Sequence, residues 1–422
     1  FKNTFVKDTF VLTSGTTIAQ AIPLFFYPIL SRLYTPEQFG VLAAVTAVSS
    51  VLATISTGQY HIGILVSKDE EEAVNMLSLS LLISLFVNLI AFPLIIILYW
   101  FGILSNLLTP WLIFIAVVCS LCISIYNVYN EWCVKYKYFK QVTINKITNS
   151  GANSISKFLF ALINSAKKFG LIYGELLGRV ISSTMCIVHL CRKDGRTIKN
   201  RLSFPKIKSL AIENKKYPFF SLPGQFMNTF GGQLPVFIFG AFFSKTIVGY
   251  YSMAYMVLSL PVSIIGMAIR DAFRQRATVI YLEHGRCDGL YKKVFTVLFL
   301  FAFFTCIIAI FILPPLFKIV LGSQWVEAGR YAIFLAPTVF VGLVNEVFTS
   351  LWIIADKLKE GFYWQTFHFV ITCVSLVIGV LLFKNIIAAL ICFTIGKCLA
   401  YGVNLFYTWS FAKGKKNNIN NL

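Results

Sequence analysis

Five ionisable side chains interrupt long apolar runs of this sequence: Lys157, Glu175 and Arg179 in the first half, Glu346 and Lys397 in the second. Charge is expensive inside a lipid bilayer, so such residues face a partner or a water-filled path. Lys157 and Glu175 lie on successive apolar runs, each about 7–8 Å outside the midplane at about 1.5 Å per helical residue, and are placed to pair. Arg179 follows Glu175 by one helical turn, near the midplane, and competes for the same carboxylate. In either arrangement two cations face one anion and a positive charge is left over. Lys397 falls at mid-depth in the last run, with Glu346 about 7 Å to the inner side in another. Lys146, Ser150, Asn153 and Lys157 recur at helical spacing and form one polar stripe, which is expected to line water because irregular polarity is tolerated in a membrane only there or inside protein. Gln20 in the first run and Gln225 and Asn228 in the seventh add amides beside Pro23, Pro28, Pro223 and Pro235, whose missing N–H donors bend helices. A site that is net positive and rich in amides suits an anionic, hydrogen-bonding cargo such as a sugar phosphate.

Other chemistries are absent from the sequence. There is no G-x-x-x-x-G-K-[ST] phosphate loop and no H-E-x-x-H pair. His61, His189, His284 and His368 are scattered and supply no metal-ligand spacing. Ten cysteines lie mostly within the apolar runs. Cys119 and Cys122 have C-x-x-C spacing but no second pair nearby, so they read as small apolar packers. No catalytic constellation is present, and no metal or cofactor is expected. Transport without covalent chemistry remains.

The elements that hold these residues follow from composition. The chain is 57% hydrophobic and 13% charged, against about 45–50% and about 25% in soluble domains. A membrane-crossing helix needs roughly 20 apolar residues. Runs of that kind occur at about 9–31, 38–62, 73–100, 109–130, 141–163 and 169–191, and again at about 217–242, 246–270, 291–313, 329–354, 362–383 and 385–412, boundaries carrying an error of about 2–4 residues. The fold expected is all-α and integral to the membrane, with twelve transmembrane helices. The net charge of +20 sets orientation rather than nucleic-acid binding. With the N-terminus inside, the inner segments hold 27 Lys and Arg and the outer loops 7, as the positive-inside rule requires, so both termini are placed in the cytoplasm. The basic stretch 192–216 divides the chain into a six-helix bundle (1–191), a cytoplasmic linker and a second six-helix bundle (217–422). Its alternative role is a patch for anionic headgroups. Six spans per half predict a parallel repeat about an axis along the membrane normal. At an offset of 209, Gly15-Thr16 aligns with Gly224-Gln225 and Phe39-Gly40 with Val248-Gly249.

The run Ser31-Arg32-Leu33-Tyr34-Thr35-Pro36-Glu37-Gln38-Phe39-Gly40 resembles the first outer turn of bacterial polysaccharide-export proteins. Val248-Gly249-Tyr250-Tyr251-Ser252-Met253-Ala254 is similar to the matching segment of their second half. The chain as a whole resembles Wzx-type O-antigen flippases of the multidrug/oligosaccharidyl-lipid/polysaccharide exporter superfamily. The resemblance implies a flippase, not an enzyme. It implies movement of an undecaprenyl-pyrophosphate-linked oligosaccharide from the inner to the outer leaflet of the cytoplasmic membrane, through a cavity between two bundles whose openings alternate. It places Lys157, Arg179 and Lys397 against the cargo, Arg32 at the outer rim and Arg270 at the inner end of the eighth span. The same reading implies a monomer that works alongside a polysaccharide polymerase and a chain-length regulator. Glu175 and Glu346 are the candidates for coupling to protons or sodium. Three alternatives stand beside it: an ion-coupled multidrug exporter of the same superfamily, a lipid II flippase, and a membrane protein that transports nothing. Multidrug exporters favour buried acids, commonly an Asp on the first helix, and the first span offers Gln20 instead. Lipid II flippases carry two further helices.

Overall fold

The computed structural model describes residues 2–102, 105–163 and 167–414, and every regular element among them is helical. Phe1 and residues 415–422, where the predicted cytoplasmic ends begin and finish, lie outside the described residues. The helices are α1 (Lys2–Leu33), α2 (Pro36–Ser56), α3 (His61–Val66), α4 (Glu70–Trp100), α5 (Pro110–Lys135), α6 (Phe139–Leu162), α7 (Gly170–Arg201), α8 (Phe204–Glu213), α9 (Leu222–Phe242), α10 (Lys245–His284), α11 (Asp288–Leu321), α12 (Val326–Phe348), α13 (Leu351–Ile354), α14 (Leu358–Phe383) and α15 (Ile386–Ala412). Nine segments among the described residues are long and apolar enough to cross a membrane: α2, α4, α5, α7, α10, α11, the stretch Ser323–Ile354 that contains α12 and α13, α14 and α15. The chain is therefore a multi-pass, all-helical membrane protein. α6 and α9 are 24 and 21 residues long but carry Asn145, Lys146, Asn149, Asn153 and Lys157, and Gln225, Asn228 and Gln233, respectively, which lower their hydropathy.

Several helices overrun the expected ends. α7 continues from the predicted end near 191 to Arg201, and α10 from 270 to His284. A helix satisfies its own backbone hydrogen bonds in lipid or water, so leaving the bilayer does not stop it. Breakers do. α10 ends at Gly285, whose φ of 67° is a left-handed conformation that glycine adopts without a Cβ clash. α7 gives way at Leu202-Ser203 to α8, with Pro205 in its first turn, where a missing N–H costs nothing.

The chain forms two compact units, Phe1–Gly249 and Tyr250–Leu422. In the first, α1 packs on α6, α2 on α5 and α9, α4 on α5, and α6 on α7. The basic stretch read from the sequence as a linker is helical there and anchored to α4. Ile207 and Leu210 of α8 are buried in one apolar cluster with Tyr60, Met76, Trp132 and Tyr217. The Asn75 side chain straddles the α7–α8 break, donating to the Arg201 carbonyl (3.0 Å) and accepting from the Ser203 N–H (2.9 Å). In the second unit α11 packs on α12, α14 on α15 and α12 on α15. Tyr291 stacks on Phe348 at 3.9 Å between ring centroids and donates to the Leu405 carbonyl at 3.0 Å.

Within the first unit the start of α2 meets the start of α10. A Cβ on Gly40 would collide with the Lys245 carbonyl, and a Cβ on Gly249 with the Pro36 carbonyl. The contact is reciprocal at the same 209-residue offset seen in the sequence, since Pro36 corresponds to Lys245 and Gly40 to Gly249. Only glycine permits this approach, as at small-residue helix crossings generally.

Candidate functional site

The first charged cluster is built by α6 and α7, and glycine makes it possible. Gly170, Gly174 and Gly178 recur every four residues on α7, so they share one face. Added Cβ atoms at Gly174 and Gly178 would lie 2.5 Å from the Cα of Lys157 and of Asn153 respectively. The two backbones are therefore close enough for Lys157 to reach α7. Its Nζ meets Glu175 Oε2 at 2.6 Å, and Arg179 Nε donates to Glu175 Oε1 at 2.8 Å. The sequence offered these pairs as alternatives; the carboxylate makes both. The side chains are 14% (Lys157), 5% (Glu175) and 25% (Arg179) exposed, so the triad is enclosed and carries one positive charge in excess. Tyr34 donates to the Lys157 carbonyl (2.8 Å) and ties α1 to the same turn.

The polar stripe of α6 does not simply line water. Lys146 Nζ donates to Thr16 Oγ1 of α1 at 2.7 Å, and Gly15 admits the Thr143 side chain. Asn153 is buried against Gly178, with its Oδ1 lacking a hydrogen-bond partner. Lys146 and Lys157 of the stripe are thus bonded to α1 and α7, where small residues let these helices approach, while Asn153 packs against α7 with its carbonyl oxygen unpartnered. Gln20 lies on α1 with its Oε1 buried and likewise unpartnered.

Lys397 is the second buried cation. It is 7% exposed on α15, and among the described residues no carboxylate lies within 4.0 Å of it. Its Nζ lies 5.0 Å from the Phe393 ring centroid, with Tyr401 of the same helix and Tyr255 of α10 close enough to interact. His368 of α14 stacks on Tyr401 (5.3 Å) and Trp364 (5.6 Å), and its Nε2 is buried without a hydrogen-bond partner. Aromatic faces and hydroxyl dipoles soften the cost of this ammonium, but its charge is not cancelled.

The remaining predicted residues are more open. Arg270 of α10 pairs with Glu346 of α12 and lies 3.8 Å from Asp271. With Glu346 42% exposed, solvent screens this pair and it contributes about 0–1 kcal/mol. Arg32 is exposed at the end of α1, and Gln225 and Asn228 are exposed one helical turn apart on α9. The structure thus brings Lys157, Glu175, Arg179 and Asn153 together, pairs Arg270 with Glu346, and sets Lys397 among aromatic rings.

A family model for polysaccharide biosynthesis proteins matches residues 29–330, well over half of the chain. The chain belongs to that family. A comparison with curated sequences finds no match. Among solved structures, the lipid II flippase MurJ in an inward closed conformation has a TM-score of 0.73 at 15% identity, covering 94% of this chain and 87% of that one. An inward-facing multidrug resistance MATE family transporter of the MOP superfamily gives 0.63 at 15% identity over 94% and 93%. A MOP superfamily transporter from Pyrococcus furiosus, described as having a binding pocket of reverse polarity, gives 0.60 at 15% over 95% and 94%. At these identities the likeness establishes the fold, which is that of MOP-type transporters.

Within this family member, two groups were missed from sequence. The glycine ladder on α7 was visible as Gly-x-x-x-Gly spacing. The rings around Lys397 come from three helices, so no local spacing announced them. The ladder makes a direct prediction. Gly174→Val forces α6 away from α7, an overpacking change that costs about 1–3 kcal/mol. Thermal unfolding of the purified variant should begin at lower temperature, and unchanged unfolding would show that the helices part easily there.

Proposed function

We propose that this protein is a flippase that moves an undecaprenyl-pyrophosphate-linked oligosaccharide repeat unit from the inner to the outer leaflet of the bacterial cytoplasmic membrane, by alternating access, for O-antigen or capsule synthesis. The observation that carries this reading is buried positive charge in surplus in a member of the polysaccharide biosynthesis family. Lys157 and Arg179 share one carboxylate, and Lys397 has none within 4.0 Å among the described residues. A buried charge without a partner costs several kcal/mol, and an anionic cargo offsets that cost when it binds. A cationic drug is repelled by the same groups, which disfavours the multidrug alternative. Outward movement of an uncompensated anion from a negative cytoplasm is downhill by about 2.3 kcal/mol per 100 mV. If transport is ion-coupled, Glu346 suits the exchange better than Glu175, which two cations enclose.

The reading includes α1, α6 and α9 as further spans. It gives twelve helices in two six-helix halves related along the membrane normal, with cytoplasmic termini. The fourfold excess of basic residues on one side and the reciprocal Pro36–Gly249 and Gly40–Lys245 approaches support it. A polysaccharide polymerase and a chain-length regulator act on the product, and the flippase itself works as a monomer. Deleting the gene should abolish surface polysaccharide while lipid-linked repeat units accumulate on the cytoplasmic face. Normal surface polysaccharide in the deletion strain would refute the assignment.

A further inference from the structure

At the end of the first unit where α1 meets α2 there is a cavity of about 380 Å³, lined among others by Thr35, Gln38, Trp111, Lys168 and Lys245. Its walls come from four separate stretches of chain: the α1–α2 turn, the start of α5, the turn before α7 and the start of α10. All four lie at loops that the charge asymmetry assigns to the outer face. The volume falls within the roughly 300–1,000 Å³ of small-molecule sites.

The cavity is held rigid by specific bonds. Thr35 and Gln38 cap α2 reciprocally, Thr35 N–H to Gln38 Oε1 at 2.8 Å and Gln38 N–H to Thr35 Oγ1 at 3.4 Å. The Gln38 amide then donates to the Lys168 carbonyl at 3.0 Å, fixing the turn before α7. The Gly40–Gly249 crossing brings the start of α10, and with it Lys245, to the rim. On the opposite wall the Trp111 and Phe169 rings cross at 88° with centroids 4.8 Å apart, backed by Tyr173 at 6.2 Å from Trp111. Trp111 keeps 36% of its surface exposed. The Thr109 hydroxyl on the same wall is buried and has no hydrogen-bond partner in the protein. The lining holds Lys168 and Lys245 against one acid, Glu37, with no ion pair among them in the described residues, and Lys168 Nζ lies 5.5 Å from the Phe169 ring centroid, so the lining is net positive.

An aromatic wall, the unpartnered Thr109 hydroxyl and two lining lysines together match one kind of ligand. The C–H face of a pyranose packs on an indole, one of its hydroxyls bonds to Thr109, and an acid group on the ring is drawn to the lysines. We infer that this cavity is a saccharide site selective for a sugar carrying a carboxylate, and that it receives the glycan as it leaves. The second clause rests on the export reading above; the first does not.

The test uses the full chain in lipid nanodiscs with free glucuronate as probe, glucose and inorganic phosphate as comparators, and saturation-transfer NMR as readout. Glucuronate should bind saturably, glucose and phosphate at least about tenfold more weakly, because the charged and apolar contacts act together. Lys168→Ala/Lys245→Ala, at solvent-accessible positions, should fold normally and lose about tenfold in glucuronate affinity. Arg330→Ala, which removes an exposed cation paired with Glu327 and outside this cavity, should leave that affinity unchanged. No glucuronate binding, binding unaltered by the double variant, or equal displacement by phosphate overturns the inference while leaving the export reading intact. Glucuronate binding as expected, with normal polysaccharide in the deletion strain, overturns the export reading and retains the site.

Discussion

Glu175→Gln should be among the most damaging single substitutions in the molecule. The carboxylate accepts from Lys157 at 2.6 Å and from Arg179 at 2.8 Å and is itself 5% exposed. Glutamine keeps the shape but leaves two enclosed cations facing each other without an anion. Removing one partner of a buried ion pair costs about 3–5 kcal/mol, a large share of the roughly 5–15 kcal/mol that stabilises a typical domain. The purified variant should unfold at much lower temperature and accumulate poorly in cells. Two companion variants separate charge from shape. Lys157→Met/Glu175→Gln removes a cation with the anion and should recover most of the lost stability, the coupling expected of groups in one network. Arg179→Met leaves a neutral Lys157–Glu175 pair and should cost little stability while reducing export. Equal stability of Glu175→Gln and the wild type would mean that water reaches the triad and the charges are not confined.

Lys397→Met should show the opposite pattern. Lys397 is 7% exposed, lies over the Phe393 ring and has no carboxylate within 4.0 Å among the described residues. A methionine of similar length removes a desolvated charge, and replacing buried ionic groups by apolar ones is often neutral or stabilising. Thermal stability should hold or rise. Export should fall, because an anion that meets Lys397 in transit loses its partner. The loss of a desolvated charge contact is worth about 2 kcal/mol or more, roughly thirtyfold in rate if it is made only during the movement. A variant less stable than the wild type, with full export, would assign Lys397 a purely structural part.

The site was partly legible in the sequence, and the reasons differ by residue. Lys157, Glu175 and Arg179 stood out because charge inside an apolar run has few innocent explanations, and helical rise alone put them at neighbouring depths. That both cations share the carboxylate was not readable, since it depends on how closely α6 and α7 approach. Gly170, Gly174 and Gly178 set that approach, yet a glycine spacing does not name the helix it faces. Periodicity grouped the polar stripe on α6, but not its surroundings: Lys146 reaches α1, and Asn153 and Lys157 meet α7. Periodicity says which residues share a face, and Thr16 and Gly178 decide whether that face meets water or protein. His368, Tyr255 and Tyr401 converge from α14, α10 and α15, so only tertiary structure assembles them. The basic stretch 192–216 looked like a linker because hydropathy ends there. The helix does not end with it, and Asn75 holds the break between α7 and α8 on the body of the first unit.

Buried cation surplus that serves an anionic lipid-linked glycan makes a direct demand on transport. The direct measurement is transbilayer movement of a polyprenyl-pyrophosphate oligosaccharide in proteoliposomes containing the wild type or Arg179→Ala/Lys397→Ala, followed by access of an external glycan-binding probe. The wild type should move the lipid far faster than protein-free vesicles do, and the double variant should be slower by at least about tenfold, the equivalent of about 1.4 kcal/mol. Equal rates for the two proteins, at equal reconstitution, would contradict the central claim.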